Sequence, residues 1–413
     1  MNTESEPKLI NLIIALESVL LLAFLFLLTP VGKSMSVSGT VSETKEKEAE
    51  ETEKEKKFIK WVDFGVTKEA MEKAFRYDVD TCQNEIHLNW IELLAYLGAR
   101  YGGDFSRYKE ADMNAVADRI LAGEKMEEIT ADMKYYGYYL EAYTAVLGGM
   151  VGTFRIEIPE SKAPSFVRED ELAERDAERG TIWVSKYGLK AFSPIAKNYP
   201  YQDYDDFGVS RSYGFKRQHL GHDMMGQVGT PVIAVESGQV EAMGWNQYGG
   251  WRLGIRSFDG KRYYYYAHLR KNYPYHKSLQ VGSIVQAGDV IGYLGRTGYS
   301  SKENTNNIDE PHLHFGIQLI FDESQKEGNN EIWIDCYEII KFLTINRSET
   351  VKNQETKEYY RVYQMADPDI PGGAMEQKMP AEDKTGEEGG GSAGKLGKQH
   401  PGNKYGDATC PGG

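Results

Sequence analysis

WRLGIRSFDGKRYYYYAHL, residues 251–269, reads as a β-hairpin. Asp259-Gly260 supplies a tight turn, because glycine tolerates the positive φ that two-residue hairpin turns require. The flanking residues are β-branched or aromatic, and Tyr264, Tyr266 and His268 alternate onto one face. The same period of two continues through residues 191–345, which are rich in glycine and aromatic residues, and predicts an all-β antiparallel unit. A second strand is expected in EPHLHFGIQLIF, residues 310–321, where chain entry at Pro311 is followed by an apolar run.

Six of the eight histidines fall in this unit: His219, His222, His268, His276, His312 and His314. In a strand, His312 and His314 share a face while Leu313 and Phe315 pack behind them. Their Cα atoms would lie about 7 Å apart, which suits one metal ligand beside one acid/base group. His219 and Asp223 stand four apart in HLGHD, and Gly221 permits a backbone path tight enough to turn both inward. Imidazole and carboxylate are both good zinc ligands. With one histidine of the pair they make three, leaving the fourth corner open for water as in catalytic rather than structural sites. His268, at a strand end, can assist without binding metal. His222 and His276 are expected in a turn and a loop, and His87, beside Trp90, reads as an ordinary packed side chain.

The chain upstream is organised differently. Residues 1–8 form a short N-terminal tail, and residues 9–29 contain an apolar run (9–28) that as a helix spans about 30 Å, the thickness of a hydrocarbon core. Glu17 opposes insertion by about 2–3 kcal/mol, which the leucines outweigh. The expectation is one transmembrane helix, an uncleaved anchor at the cell membrane with the β-unit on the extracytoplasmic side. Residues 30–57 include ETKEKEAEETEKEKK, a solvated stalk with no apolar face. Residues 58–152 show helical periodicity, as in Trp90, Leu93, Leu94 and Leu97, and predict a small all-α domain. Wall binding, docking of a protein partner and autoinhibition are the roles open to it. Residues 153–190 read as connecting structure, and 346–413 as a disordered tail ending in Gly/Pro/Lys/Glu-rich sequence.

A formal net charge of -14 excludes nucleic acid as a partner, since phosphate binding needs clustered Lys and Arg. Three cysteines, Cys82, Cys336 and Cys410, build neither a disulfide framework nor a thiolate cluster. The segment VGSIVQAGDVIGYLG suggests a lipoyl-type carrier hairpin, but no lysine stands between Val281 and Leu294 to carry the group.

Taken in order, HLGHD, GTPVIAVESGQV, YAHL, VQAGDVIGYLGRTG and PHLHFGI resemble the lysostaphin-type, LytM-like zinc metalloendopeptidases over residues 191–345. The resemblance implies antiparallel sheets forming a groove over Zn2+, held by His219, Asp223 and His314. It implies catalytic roles for His312 and His268, and for Tyr213 at a position that can assist the oxyanion. The implied substrates are peptidoglycan peptides, cleaved in cross-links or stems by an activated water with a histidine as general base. A catalytically silent scaffold or wall-binding protein of the same fold is the alternative. The loop YSSKENTNNIDEP, residues 299–311, is longer than the family's short link and bears on specificity.

Overall fold

The structure, a computed structural model, describes residues 58–165, 167–212, 216–328, 330–372 and 410–411. The tail, anchor and stalk expected over residues 1–57 lie outside the described residues, as do Tyr213 and residues 373–409. Among the described residues no helix is long and apolar enough to cross a membrane.

Five helices open the described chain: α1 (Lys68–Thr81), α2 (Trp90–Tyr101), α3 (Glu110–Leu121), α4 (Met126–Thr130) and α5 (Tyr136–Leu147). Local chemistry sets their ends. The Asn89 side chain accepts from the amides of Ile91 and Glu92, and Gly102 closes α2 at φ 66°, where a side chain would be strained. The periodic residues Trp90, Leu93, Leu94 and Leu97 are all buried.

These helices share one hydrophobic core with the strands that follow. Phe342, on the helix Tyr337–Leu343, meets Phe75 and Trp90 at ring-centroid distances of 5.8 and 5.9 Å. Burying a ring of that size contributes about 1.5–3 kcal/mol. A polar tie reinforces the packing: fully buried Arg262 donates to Glu236 (2.7 and 3.0 Å), to Asp259 (2.7 Å) and to the Ala145 carbonyl of α5 (2.7 Å). The helical segment is therefore part of the same compact unit as the sheet, from Phe58 onward.

The main sheet runs in the order β11-β8-β9-β10-β13-β6-β3, with β14 also paired to β13, and is antiparallel throughout. Its strands are β3 (Gln202–Asp203), β6 (His222–Met225), β8 (Gly238–Asn246), β9 (Gly250–Ser257), β10 (Arg262–Ala267), β11 (Ile284–Val285), β13 (His312–Leu319) and β14 (Ile332–Ile334). Alternation assigns Leu253, Ile255, Tyr264, Tyr266, Leu313, Phe315 and Ile317 to the buried face. The opposite face carries the histidines.

Two segments depart from the sequence reading. Residues 153–190, expected as a connection, contribute most of β1 (Val151–Pro159) and all of β2 (Thr181–Leu189), a nine-pair antiparallel ladder. Its charged residues are tied in place, as where Arg155 pairs with Glu174 and buried Glu157 takes the Thr181 hydroxyl. The stretch assigned to a disordered tail is ordered through residue 372. It forms β15 (Thr350–Lys352), β16 (Tyr359–Arg361) and β17 (Met365–Ala366), and β17 joins β1. Composition missed it because the ordering groups are single buried side chains: Arg361 reaches the Ala287 carbonyl, and Asp367 pairs with buried Lys190. Cys336 is a buried free thiol.

Candidate metal centre

Register places the site. In the β13–β6 ladder His314 stands directly opposite Asp223, and His314 is also paired with Ala267 of β10. A one-residue slip would turn both side chains to the other face. His219 arrives from the loop before β6, its backbone fixed by bonds to Val209 and Gly208. Gly221 makes this approach feasible, because a Cβ there would fall 2.6 Å from His314 Cε1 and 2.8 Å from the Phe315 carbonyl oxygen.

Three ligand atoms converge. His219 Nε2 lies 3.1 Å from Asp223 Oδ1 and 2.9 Å from His314 Nδ1, and His314 Nδ1 lies 2.9 Å from the same carboxylate oxygen. All three donors fall within 4.8 Å of one another. His219 Nδ1 faces the Asp206 carbonyl at 2.9 Å and the Asp206 carboxylate at 3.1 Å, so Nδ1 carries the proton and Nε2 presents its lone pair inward. Two imidazole nitrogens and a carboxylate then point at one spot in a buried place. Such a cluster can hold a cation. Asp223 Oδ2 is buried without a hydrogen-bond partner, although Arg211 Nη2 is 2.8 Å away as an ion pair. The donor set of two nitrogens and a carboxylate fits zinc with a corner left open.

The electrostatics agree. Burial works against charge on His219, yet its bonds to Asp206 and Asp223 prevail and hold the imidazole up to about 9. Burial also disfavours the charged Asp223, but the hydrogen bonds of His219 and His314 hold its carboxyl far below the usual range. Without an ion the carboxylates of Asp206 and Asp223 draw a proton onto His219, and a cation bound among the same groups would take that proton's place.

His312 and His268 stand beside these ligands. Their rings are 4.8 Å apart between centroids, and His312 Nε2 is 3.7 Å from Asp223 Oδ2. His312 Nδ1 faces the Glu310 carbonyl at 2.8 Å, and His268 Nδ1 faces the Thr297 carbonyl at 2.9 Å. A carbonyl only accepts, so each Nδ1 is an N–H donor. Burial and the neighbouring imidazoles push His268 well below the ordinary histidine value. It is neutral, with a bare Nε2. His268 adopts φ 60°, a left-handed conformation that is strained for an imidazole-bearing residue and is found where function constrains the chain.

Spacing alone did not reveal two residues. Asp206 orients His219 and binds Arg211 at 2.6 Å, and Arg211 in turn contacts Asp223. Asp206 belongs to an acidic run, DYDD, that carries no spacing signature. Tyr299, from the long loop, lies 5.7 Å from the His268 ring, and Arg217 donates to its hydroxyl and sits over its ring. The expected turn residue His222 is buried against Tyr337, and His276 is buried as well. His87 bonds Asp78 at 2.9 Å, far from any ligand cluster.

An antiparallel sheet displaying a His/Asp/His centre beside two further histidines defines a metallopeptidase-type domain. Residues 217–328 match the model of peptidase family M23, and the chain carries a domain of that family. It is 39% identical over 124 residues to the L-Ala–D-Glu endopeptidase of Bacillus subtilis, covering 30% of this chain and 36% of that protein. It is 34% identical over 139 residues to lysostaphin of Staphylococcus simulans, covering 33% of this chain and 23% of that protein. Among solved structures, the catalytic domain of lysostaphin from Staphylococcus simulans is 32% identical, with 34% of this chain and 92% of that chain covered and a TM-score of 0.27. The chain thus spans about a third or less of the length of these curated relatives.

Proposed function

We propose that the protein is a zinc-dependent endopeptidase that hydrolyses peptide bonds of peptidoglycan. The observation that carries this reading is the convergence of His219, Asp223 and His314 within 4.8 Å at the floor of an open groove. The two relatives, one named for an L-Ala–D-Glu bond and one a lysostaphin, support the substrate class.

His219, Asp223 and His314 would hold the ion. Bound there, zinc supplies Lewis acidity, polarising a carbonyl and making a water acidic near neutral pH. With Nδ1 committed to Glu310, His312 has Nε2 free to accept a proton from the attacking water and return it to the leaving amine. The Nδ1 of His268 is spent on the Thr297 carbonyl and its Nε2 is an acceptor. A bare acceptor repels a developing oxyanion. It instead suits orienting the water, and the donors that line the pocket beside it for the carbonyl oxygen include Arg217 and Tyr299. Tyr213 lies outside the described residues.

The apolar run at 9–28 supports a single membrane anchor, and a peptidoglycan substrate calls for the domain on the extracytoplasmic side. The test is digestion of purified peptidoglycan by the zinc-loaded protein, with mass analysis of released fragments. Wild type should release peptide fragments that chelator abolishes, and His219→Ala should lose both bound zinc and release. Full wall-lytic activity in His219→Ala would defeat the assignment.

A further inference from the structure

The groove of about 440 Å3 that begins at His219 and His314 extends along the open face of the sheet, past Tyr265 and Trp333, to Arg252. Its floor is low because glycines lie beneath the aromatics. A Cβ on Gly316 would come within 2.8 Å of Trp333, and one on Gly254 would overlap the Tyr263 hydroxyl. A peptide can therefore lie in it, with its backbone close to the metal centre.

Arg252 is the unusual member. Leu253 beside it points into the core, so alternation turns Arg252 toward the groove. Its Nε is buried without a hydrogen-bond partner. The nearby acids are committed elsewhere: Glu241 to Lys326 and Arg256, Glu323 to Arg256, and Glu331 to the Trp333 indole N–H. Glu327 lines the groove too, but among the described residues it makes no ion pair with Arg252. Arg217 is engaged by Tyr299. A half-buried guanidinium with an unmet donor is costly unless something arrives to satisfy it. Its planar fork matches a carboxylate.

We propose that Arg252 receives a carboxylate of the substrate, so that the groove selects peptides bearing a free carboxylate next to the bond cut, as a glutamate-containing stem peptide does, over a run of glycines. The inference rests on the endopeptidase reading for which bond is hydrolysed, but the binding preference is measurable without cleavage.

The experiment uses the zinc-loaded full chain and three fluorescein-labelled probes: an Ala-D-Glu-Lys peptide with its glutamate carboxyl free, the same peptide with that carboxyl as carboxamide, and pentaglycine. Affinities are read by fluorescence anisotropy, and cleavage of peptidoglycan is followed in parallel. The free-carboxylate peptide should bind at least about tenfold tighter than the carboxamide or pentaglycine. Arg252→Met should erase that difference while leaving carboxamide binding within about twofold. Equal affinity for the two Glu peptides, tightest binding of pentaglycine, or an equal loss for every probe in Arg252→Met overturns the proposal. The carboxylate-to-carboxamide comparison needs no variant, so it decides the matter even if Arg252→Met fails to fold. Absence of wall cleavage alongside a carboxylate preference would overturn the endopeptidase reading and leave the Arg252 assignment standing.

Discussion

Replacing Gly221 by alanine tests how tightly the metal centre depends on one missing side chain. The added Cβ would sit 2.6 Å from His314 Cε1, 2.7 Å from its Nε2 and 2.8 Å from the Phe315 oxygen. Reaching an ordinary carbon contact near 3.4 Å requires a shift of about 0.8 Å by the ligand ring or by the loop that carries His219. Metal–ligand distances tolerate roughly 0.2 Å, so the shift is about four times what coordination absorbs. The Phe315 oxygen is backbone in a central strand and cannot retreat, so the strain falls on His314 and His219. Overpacking of this kind costs about 1–3 kcal/mol in stability, and zinc affinity should fall at least tenfold. Competition against a chromophoric chelator measures the affinity, and urea unfolding in chelator measures the fold separately. Gly137→Ala, in α5 with open space around it, is the control and should leave zinc binding unchanged. Zinc affinity of Gly221→Ala within twofold of wild type, in a folded protein, would refute the packing argument.

Asp206→Asn removes the carboxylate 3.1 Å from His219 Nδ1 while the Asp206 carbonyl at 2.9 Å remains, so zinc affinity should drop by about tenfold rather than vanish, read by the same competition. His268→Asn should retain stoichiometric zinc by metal analysis and lose about 10²-fold or more in kcat, whereas loss of the metal would make His268 a ligand. Acid sensitivity should reside partly in His276. Burial holds its pKa below the ordinary 6.5, so as pH falls through 6.5 the unfolded chain takes up the proton first and stability declines, by up to about 1.4 kcal/mol per pH unit. His276→Gln should flatten that decline in urea unfolding between pH 6.5 and 5. An unchanged slope would show that His276 does not carry it.

Much of the architecture was legible in the sequence, because hydrophobic period and turn chemistry are local. Alternation in RYYYYA and HLHFGIQL marked strands, and Trp90, Leu93, Leu94 and Leu97 marked a helix with buried positions at the expected spacing. The histidine pattern named a ligand set whose members the fold brings together. Residues 153–190 and 350–366 escaped that reading. β17 is held by a ladder to β1 far back along the chain and by the ion pair of nearby Asp367 with buried Lys190, which no local period announces.

The order and spacing of HLGHD, YAHL and PHLHF indicated a metal centre with an open position, since imidazole and carboxylate are good zinc ligands, and their resemblance to lysostaphin-type enzymes added the expectation of a peptidase. Tertiary structure alone decided which nitrogen of each imidazole faces inward, because that depends on carbonyls from Asp206, Thr297 and Glu310. It alone brought Asp206, Arg217 and Tyr299 to the site and left Arg252 unpaired in the groove. These are relations between groups that only the folded register makes neighbours, and a hydrogen bond or an unmet donor is a property of a neighbourhood rather than of a residue.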